Sequence, residues 1–141
     1  MDNSNIKIFL ATKAFINYQG KVLIIKESDK YPDGTSPGKF DVVGGRVKTG
    51  QRFDENLLRE IKEETGLKVT MGKPFMADEW RPEVKGEKWQ IICTYFECFA
   101  DTNQVKLSKD HNDYKWIEPK EHKKFNLIED IHPVFETYLN K

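Results

Sequence analysis

The segment Arg52–Thr65 constrains this chain more than any other, because its residue types repeat with the period of an α-helix and sort into three sectors instead of two. At about 100° per residue, Leu57, Leu58 and Ile61 fall on one side and Glu55, Arg59 and Lys62 on another. Glu60, Glu63 and Glu64 stand at i, i+3 and i+4 and share a third side. Like charges at these spacings destabilise a helix by roughly 0.2–0.5 kcal/mol per pair. The three carboxylates also lie in the last turns before the Gly66 stop, where the negative end of the helix dipole opposes an anion by about 0.3–1 kcal/mol. A helix that needed only solubility would carry its glutamates early and its lysines late.

A divalent cation offsets both penalties. Hard cations such as Mg²⁺ prefer oxygen ligands, few protein carboxylates and retained waters that phosphate oxygens can bridge. The carboxylate sector therefore reads as a metal–phosphate platform, and Arg59 can reach Glu63 or Glu55 at i±4 to hold a carboxylate in place. The competing reading is a solvated acidic face with incidental ion pairs.

Composition narrows the partners. With 141 residues, 23 Lys+Arg against 23 Asp+Glu and zero formal net charge, the chain fits one soluble domain over residues 1–141. The charge balance supplies no electrostatic reason to expect nucleic acid or an anionic membrane as partner. No apolar run is long enough to span a bilayer, and Ile6–Ile16 is interrupted by Lys7 and Lys13. Cys93 and Cys98, five apart in an apolar run, point to opposite faces of a strand and read as core thiols of a reducing, cytoplasmic compartment.

Along the chain, Ile6–Asn17 and Lys21–Glu27 predict a hairpin, and Lys26–Lys39 an exposed loop with Pro32, Asp33, Gly34, Pro37 and Gly38. Strands are expected at Phe40–Val43, Lys68–Met71, around Phe75–Trp80, at Trp89–Ala100 and at Tyr114–Ile117. Two late helices are expected near Pro119–Lys124 and Ile131–Asn140. Strand and helix signals alternate without a regular βαβ rhythm, which predicts an α/β chain with a mixed sheet and helices on its faces.

From Gly45 the chain reads Gly, five residues, Gln51, seven residues, then Arg59-Glu60-Ile61-Lys62-Glu63-Glu64-Thr65-Gly66-Leu67. This resembles the Nudix box, the signature of hydrolases that cleave a diphosphate linked to another moiety, commonly in nucleotides. Pro37-Gly38-Lys39-Phe40-Asp41 and Gly44 look like the approach to that box, and Tyr114–Ile117 resembles the family's late strand. The resemblance implies an α/β/α sandwich around a mixed central sheet. It also implies Mg²⁺, with Mn²⁺ as an alternative, and a small nucleotide substrate, a nucleoside triphosphate or an ADP-ribose-like compound. By position, Glu63 and Glu64 would be the main metal ligands, Glu60 a ligand or water-activating base, Gly44 a backbone-carbonyl ligand, and Arg59 an orienting residue. A homodimer is common in the family. Pro82, fifteen residues past Leu67, resembles a spacing mark of ADP-ribose-cleaving members.

Two positions depart from the pattern. Gln51 stands where the family usually has Glu, and an amide is a weaker metal partner that cannot take a proton. The alternative it raises is a nucleotide-binding module without turnover. Val43 precedes the glycine pair where many members have Pro. A further ligand or base from outside the box is expected, with Glu97 the first candidate because it interrupts the apolar run Tyr95–Phe99. Asp110, His111 and Asp113, in an expected loop before Trp116, are the others. Trp80, Trp89 and Phe75 could stack on a base or serve the core. His122 and His132 lack metal-ligand spacing.

Overall fold

Strand β1 (Ile6–Tyr18) alternates two sets of side chains: Ala14 and Ile16 point to one face, Ala11 and Phe15 to the other, all essentially buried. Burial of both faces explains why the segment reads as a nearly continuous apolar run. A computed structural model describes residues 5–29 and 38–141. Most of the loop expected at Lys26–Lys39, including Pro32, Asp33, Gly34 and Pro37, lies outside the described residues.

The remaining elements are β2 (Lys21–Glu27), β3 (Phe40–Asp41), β4 (Val43–Arg46), α1 (Phe53–Thr65), β5 (Val69–Trp80), β6 (Glu83–Val84), β7 (Glu87–Ala100), β8 (His111–Ile117) and α2 (His132–Leu139). The strands form a mixed sheet with the order β3-β2-β1-β7-β5, to which β4 adds on β1, β6 on β7 and β8 on β2. The pairing of β1 with β7 is parallel, from Ile6 opposite Lys88 to Asn17 opposite Phe99, and the other ladders are antiparallel. This is the mixed sheet that the alternation of signals predicts.

The hairpin is shorter than expected. β1 and β2 pair only at Asn17–Val22 and Tyr18–Lys21, beside the Gln19-Gly20 turn where both residues have positive φ, and then separate. The stretch from β3 to β4 bridges the opening, pairing first with β2 through Asp41 and Phe40 and then with β1 through Val43 to Arg46. The divergence puts Asp41 and the glycine pair at the mouth of a split in the sheet.

Each face carries its own core. Leu57 and Ile61 of α1, both fully buried, pack on Ala14, Ile16, Leu23, Ile25 and Val43. Val134, Phe135 and Tyr138 of α2 pack on Phe15, Val22, Ile24 and Tyr95 across the sheet. Burying such side chains is worth about 1.5–3 kcal/mol each, which outweighs the few tenths lost to like charges along α1. Cys93 lies in the α2-side core and Cys98 in the α1-side core, as their odd spacing requires. Burial pushes their thiols up, to about 12 and about 11.

Two local expectations change in the structure, and a pair of histidines finds a use. Lys68–Met71 and Phe75–Trp80 form one strand, β5, whose register shifts on either side of Pro74. Proline cannot donate to a ladder, so it sits where pairing slips instead of ending the strand. Pro119–Lys124 is a 3₁₀ segment with non-helical torsions at Glu121. His122 and His132, ten residues apart in sequence, meet with Nδ1 atoms 2.8 Å apart, and His122 Nε2 lies 2.8 Å from Glu136 Oε1. The buried His122 ring also stacks on Phe135, so this pair serves the α2-side core.

Candidate functional site

Gly44, at the bridge across the split, has φ +141°, and a Cβ there would fall 2.3 Å from the Thr12 carbonyl oxygen and 2.7 Å from Lys13 Cα. Only glycine lets β4 approach β1 this closely. A Cβ on Gly45 would fall 2.9 Å from Glu60 Oε2, so the second glycine leaves room for a carboxylate of α1.

Helix α1 delivers the acidic sector to this point. Leu57 and Ile61 fix its rotation in the core, and Gly66, at φ +74°, ends it with a backbone bond to the Lys62 carbonyl. The last carbonyls are also capped from outside: the Lys106 amide donates to Thr65 at 2.9 Å and the Ser108 amide to Glu64 at 3.2 Å. The chain entering β8 is thereby tied to the carboxylate end of the helix.

The three glutamates have different surroundings. Glu60 Oε1 accepts a 2.6 Å bond from the Asn56 amide, and burial raises its pKa. Arg59 Nη1 donates to both oxygens of Glu63 at 3.0 Å. Glu64 is half-buried, and its pKa is raised to about 7, first by burial and then by the carboxylates of Glu60, Asp110, Glu63 and Asp41. Among the described residues no three His, Cys, Asp or Glu side chains converge into a preformed metal cage. The carboxylates crowd without meeting.

The residues fit a divalent cation on chemical grounds. Several oxygen donors crowd together, burial and the neighbouring carboxylates raise Glu64 to about 7, and a hard cation would offset the charge repulsion among them. Arg59 reaches Glu63, as its spacing allows, and not Glu55; its other amino group bonds Asn56 at 2.8 Å and Gln51 at 3.4 Å. Gln51 therefore keeps a neutral acceptor toward Arg59 where the family's Glu would bring a charge.

Glu97 is not brought to the helix. It lies on the α2 side of β7, in phase with Cys93 and Tyr95 of that core, and its carboxylate accepts bonds from Tyr138 Oη at 2.9 Å and Lys141 Nζ at 3.2 Å. The partner it needs is thus a phenol and an ammonium, and the expectation that Glu97 joins the box carboxylates is corrected. Of the other candidates, His111 reaches the cluster, with Nδ1 3.4 Å from Glu64 Oε2, and Asp110 faces Glu64 electrostatically. His111 and Asp113 belong to strand β8 and not to the expected loop. Trp89 and Phe75 pack on the α2-side core, and Trp80 also lies under the Lys13 ammonium, 5.4 Å from its ring centre.

The sequence reading missed three contributors. Asn56, buried within the acidic sector of α1 between Glu60 and Glu63, links Glu60 to Arg59; a polar residue four before Glu60 was the available signal. Lys13 and Asp41 form an ion pair across the split, and Asp41 also acts on Glu64 and His111. Burial works to lower the Lys13 pKa, but the Asp41 carboxylate leaves it raised. Nothing in local spacing marks that pair.

A sequence profile of the NUDIX domain matches residues 10–138, nearly the whole chain. The chain belongs to the Nudix hydrolase family. Among curated proteins, the nucleoside triphosphatase NudI of Escherichia coli K12 is 34% identical over 113 residues, covering 75% of this chain and 79% of the relative. Among solved structures, a MutT protein from Methanosarcina mazei superposes with a TM-score of 0.77 at 26% identity, covering 96% and 97% of the two chains. A MutT Nudix hydrolase from Burkholderia pseudomallei gives 0.75 at 18% identity, over 93% and 98%. This Nudix chain is therefore a MutT-like α/β hydrolase. No helix among its described residues is long and apolar enough to cross a membrane.

Proposed function

We propose that this Nudix protein is a Mg²⁺- or Mn²⁺-dependent pyrophosphohydrolase of nucleoside triphosphates, acting in the cytoplasm, with water attacking phosphorus in the diphosphate. The observation that carries the reading is the crowding of Glu60, Glu63 and Glu64 beside the glycine pair, with Glu64 raised to about 7 by burial and by the neighbouring carboxylates. The choice of triphosphate over an ADP-ribose-like substrate rests on the relative named a nucleoside triphosphatase, of which 79% is covered.

Glu63 and Glu64, with the Gly44 carbonyl, are the residues that would hold the metal. A bound divalent cation neutralises phosphate oxygens and lowers the pKa of water, leaving positioning as the protein's task. Arg59 holds Glu63 through a three-centre contact in which Nη1 donates to both carboxylate oxygens, and holds Asn56 through Nη2. Asn56 in turn holds one oxygen of Glu60, leaving Oε2 toward Gly45. Glu60 accepts the proton of the attacking water, a role suited to a carboxyl whose pKa burial has raised.

A product-resolved screen of nucleoside triphosphates, ADP-ribose and other sugar nucleotides with Mg²⁺ or Mn²⁺ tests this. A nucleoside monophosphate from a triphosphate, formed by the parent and not by Glu64→Gln, is the expected result. Cleavage of ADP-ribose alone overturns the substrate assignment, and turnover that survives Glu64→Gln overturns the site.

A further inference from the structure

His111 is the one imidazole beside the acidic sector among the described residues, and its surroundings leave one nitrogen without a task. Nδ1 is buried and has no hydrogen-bond partner, yet it stands 3.4 Å from Glu64 Oε2, just beyond a normal bond. Leaving a buried polar atom unpaired is unfavourable, and the acceptor within reach of this one is Glu64 Oε2.

The backbone holds the ring where it is. The Ser108 amide donates to the Glu64 carbonyl at 3.2 Å and the His111 amide to Ser108 at 3.3 Å, so the His111 main chain is two hydrogen bonds from the residue its side chain faces. On its other side the turn is pinned to β2 by the Ser28 amide, which donates to Asp110 at 2.9 Å, and by the pairing of His111 with Glu27. Both ends of the contact are therefore on anchored elements, and only rotations of two side chains separate them.

We infer that His111 is a positioning residue for Glu64: after small side-chain rotations its Nδ1–H donates to Oε2 and fixes the carboxylate, leaving the other oxygen to serve as a metal ligand. The inference rests on the metal-platform reading above. The neutral imidazole is sufficient, since its Nδ1 tautomer already carries the donor. Partners of this kind, bonded to a ligand from behind, typically contribute 10–100-fold in metal affinity.

The test measures Mn²⁺ binding by the loss of the free-ion paramagnetic resonance signal at pH 8, with kcat and KM in parallel. The proteins are the parent, His111→Ala, His111→Asn, Glu64→Gln and the double variant His111→Ala/Glu64→Gln. Asn keeps an amide donor near the place of Nδ1. His111→Ala should weaken Mn²⁺ binding about 10–100-fold, His111→Asn should restore it to within about threefold of the parent, and in the Glu64→Gln background the Ala substitution should add almost nothing. Parent-like Mn²⁺ binding by His111→Ala overturns the inference. So does a loss of equal size in both backgrounds, or an Asn variant as weak as the Ala variant. If parent and Glu64→Gln bind Mn²⁺ alike, the platform reading fails and takes the His111 role with it, a result distinct from all the others.

Discussion

Glu64 and Glu97 make a controlled pair. Each sits next to the sheet with 22% of its side chain exposed, Glu64 on the α1 side and Glu97 on the α2 side. Glu97 faces a phenol and an ammonium, which supply the bonds an ionised carboxylate needs. Glu64 faces four other carboxyl groups and an imidazole that stops short of it. Equal exposure with opposite partners shows that burial alone does not set an acid's chemistry: the neighbours decide whether a half-buried acid is tied by donors or crowded by other carboxyls.

The comparison is broken most directly by neutralising each acid. Glu64→Gln should lower kcat/KM about 1000-fold, roughly 4 kcal/mol of transition-state stabilisation, while leaving the metal-free protein as stable as its parent or more so. Glu97→Gln should keep kcat/KM within about threefold of the parent and cost about 1 kcal/mol of stability. Comparable activity losses from both would mean that the two faces do not differ as described.

Asp41→Asn should destabilise the fold by about 3 kcal/mol, because it leaves the Lys13 ammonium, only 10% exposed, without its anion. The same change removes one carboxylate that raises Glu64. Urea unfolding reads the first effect, and the pH profile below reads the second.

Glu64 titrates near 7 when folded against an ordinary 4.5, so the folded state binds the extra proton within that window. Stability of the metal-free protein should be greatest below pH 4.5 as far as this group is concerned, fall as pH rises to 7, and level off above it. The fall is at most about 3 kcal/mol, since holding one proton across one pH unit is worth about 1.4 kcal/mol and neighbouring carboxyls share the proton. Saturating Mg²⁺ should flatten the slope, and Asp41→Asn should move it to lower pH. A metal-free profile that rises from 4.5 to 7, compared with that of Glu64→Gln, contradicts the account.

Gln51→Glu is the smallest change. It replaces an exposed amide acceptor of Arg59 with a carboxylate, so stability should move by no more than about 0.5 kcal/mol. Activity should rise a few-fold if Arg59 is then held more firmly, and a loss of activity would show that the amide suits this site.

Much of the α1 side was readable in advance because its information is local. The helix, its apolar stripe and the Glu60, Glu63 and Glu64 sector follow from spacings of three and four, and Gly66 stops the helix where a positive φ is needed. The glycine pair was visible as a motif, but its purpose, making room for the Thr12 carbonyl on one side and Glu60 on the other, required the paired strand. Glu97 misled because an acid in an apolar strand signals a buried partner without saying whether that partner is a metal or, as here, Tyr138 forty-one residues on. For His122 and His132 the metal-spacing rule was silent on what the fold does with them, which is to bring the two rings together through a 3₁₀ segment and α2.

By itself the sequence determined the helix and which of its sides is acidic, the strands that alternate or run apolar, and the family to which they belong, because each is written in intervals of a few residues. Tertiary structure decided which distant groups share a dielectric environment. The splitting of β1 from β2 brought Asp41 to Lys13 and Glu64, and the capping of α1 by Lys106 and Ser108 brought His111 to the cluster. Electrostatic and hydrogen-bond energies depend on distances in space, and a chain that folds back on itself sets those distances only once its core has packed.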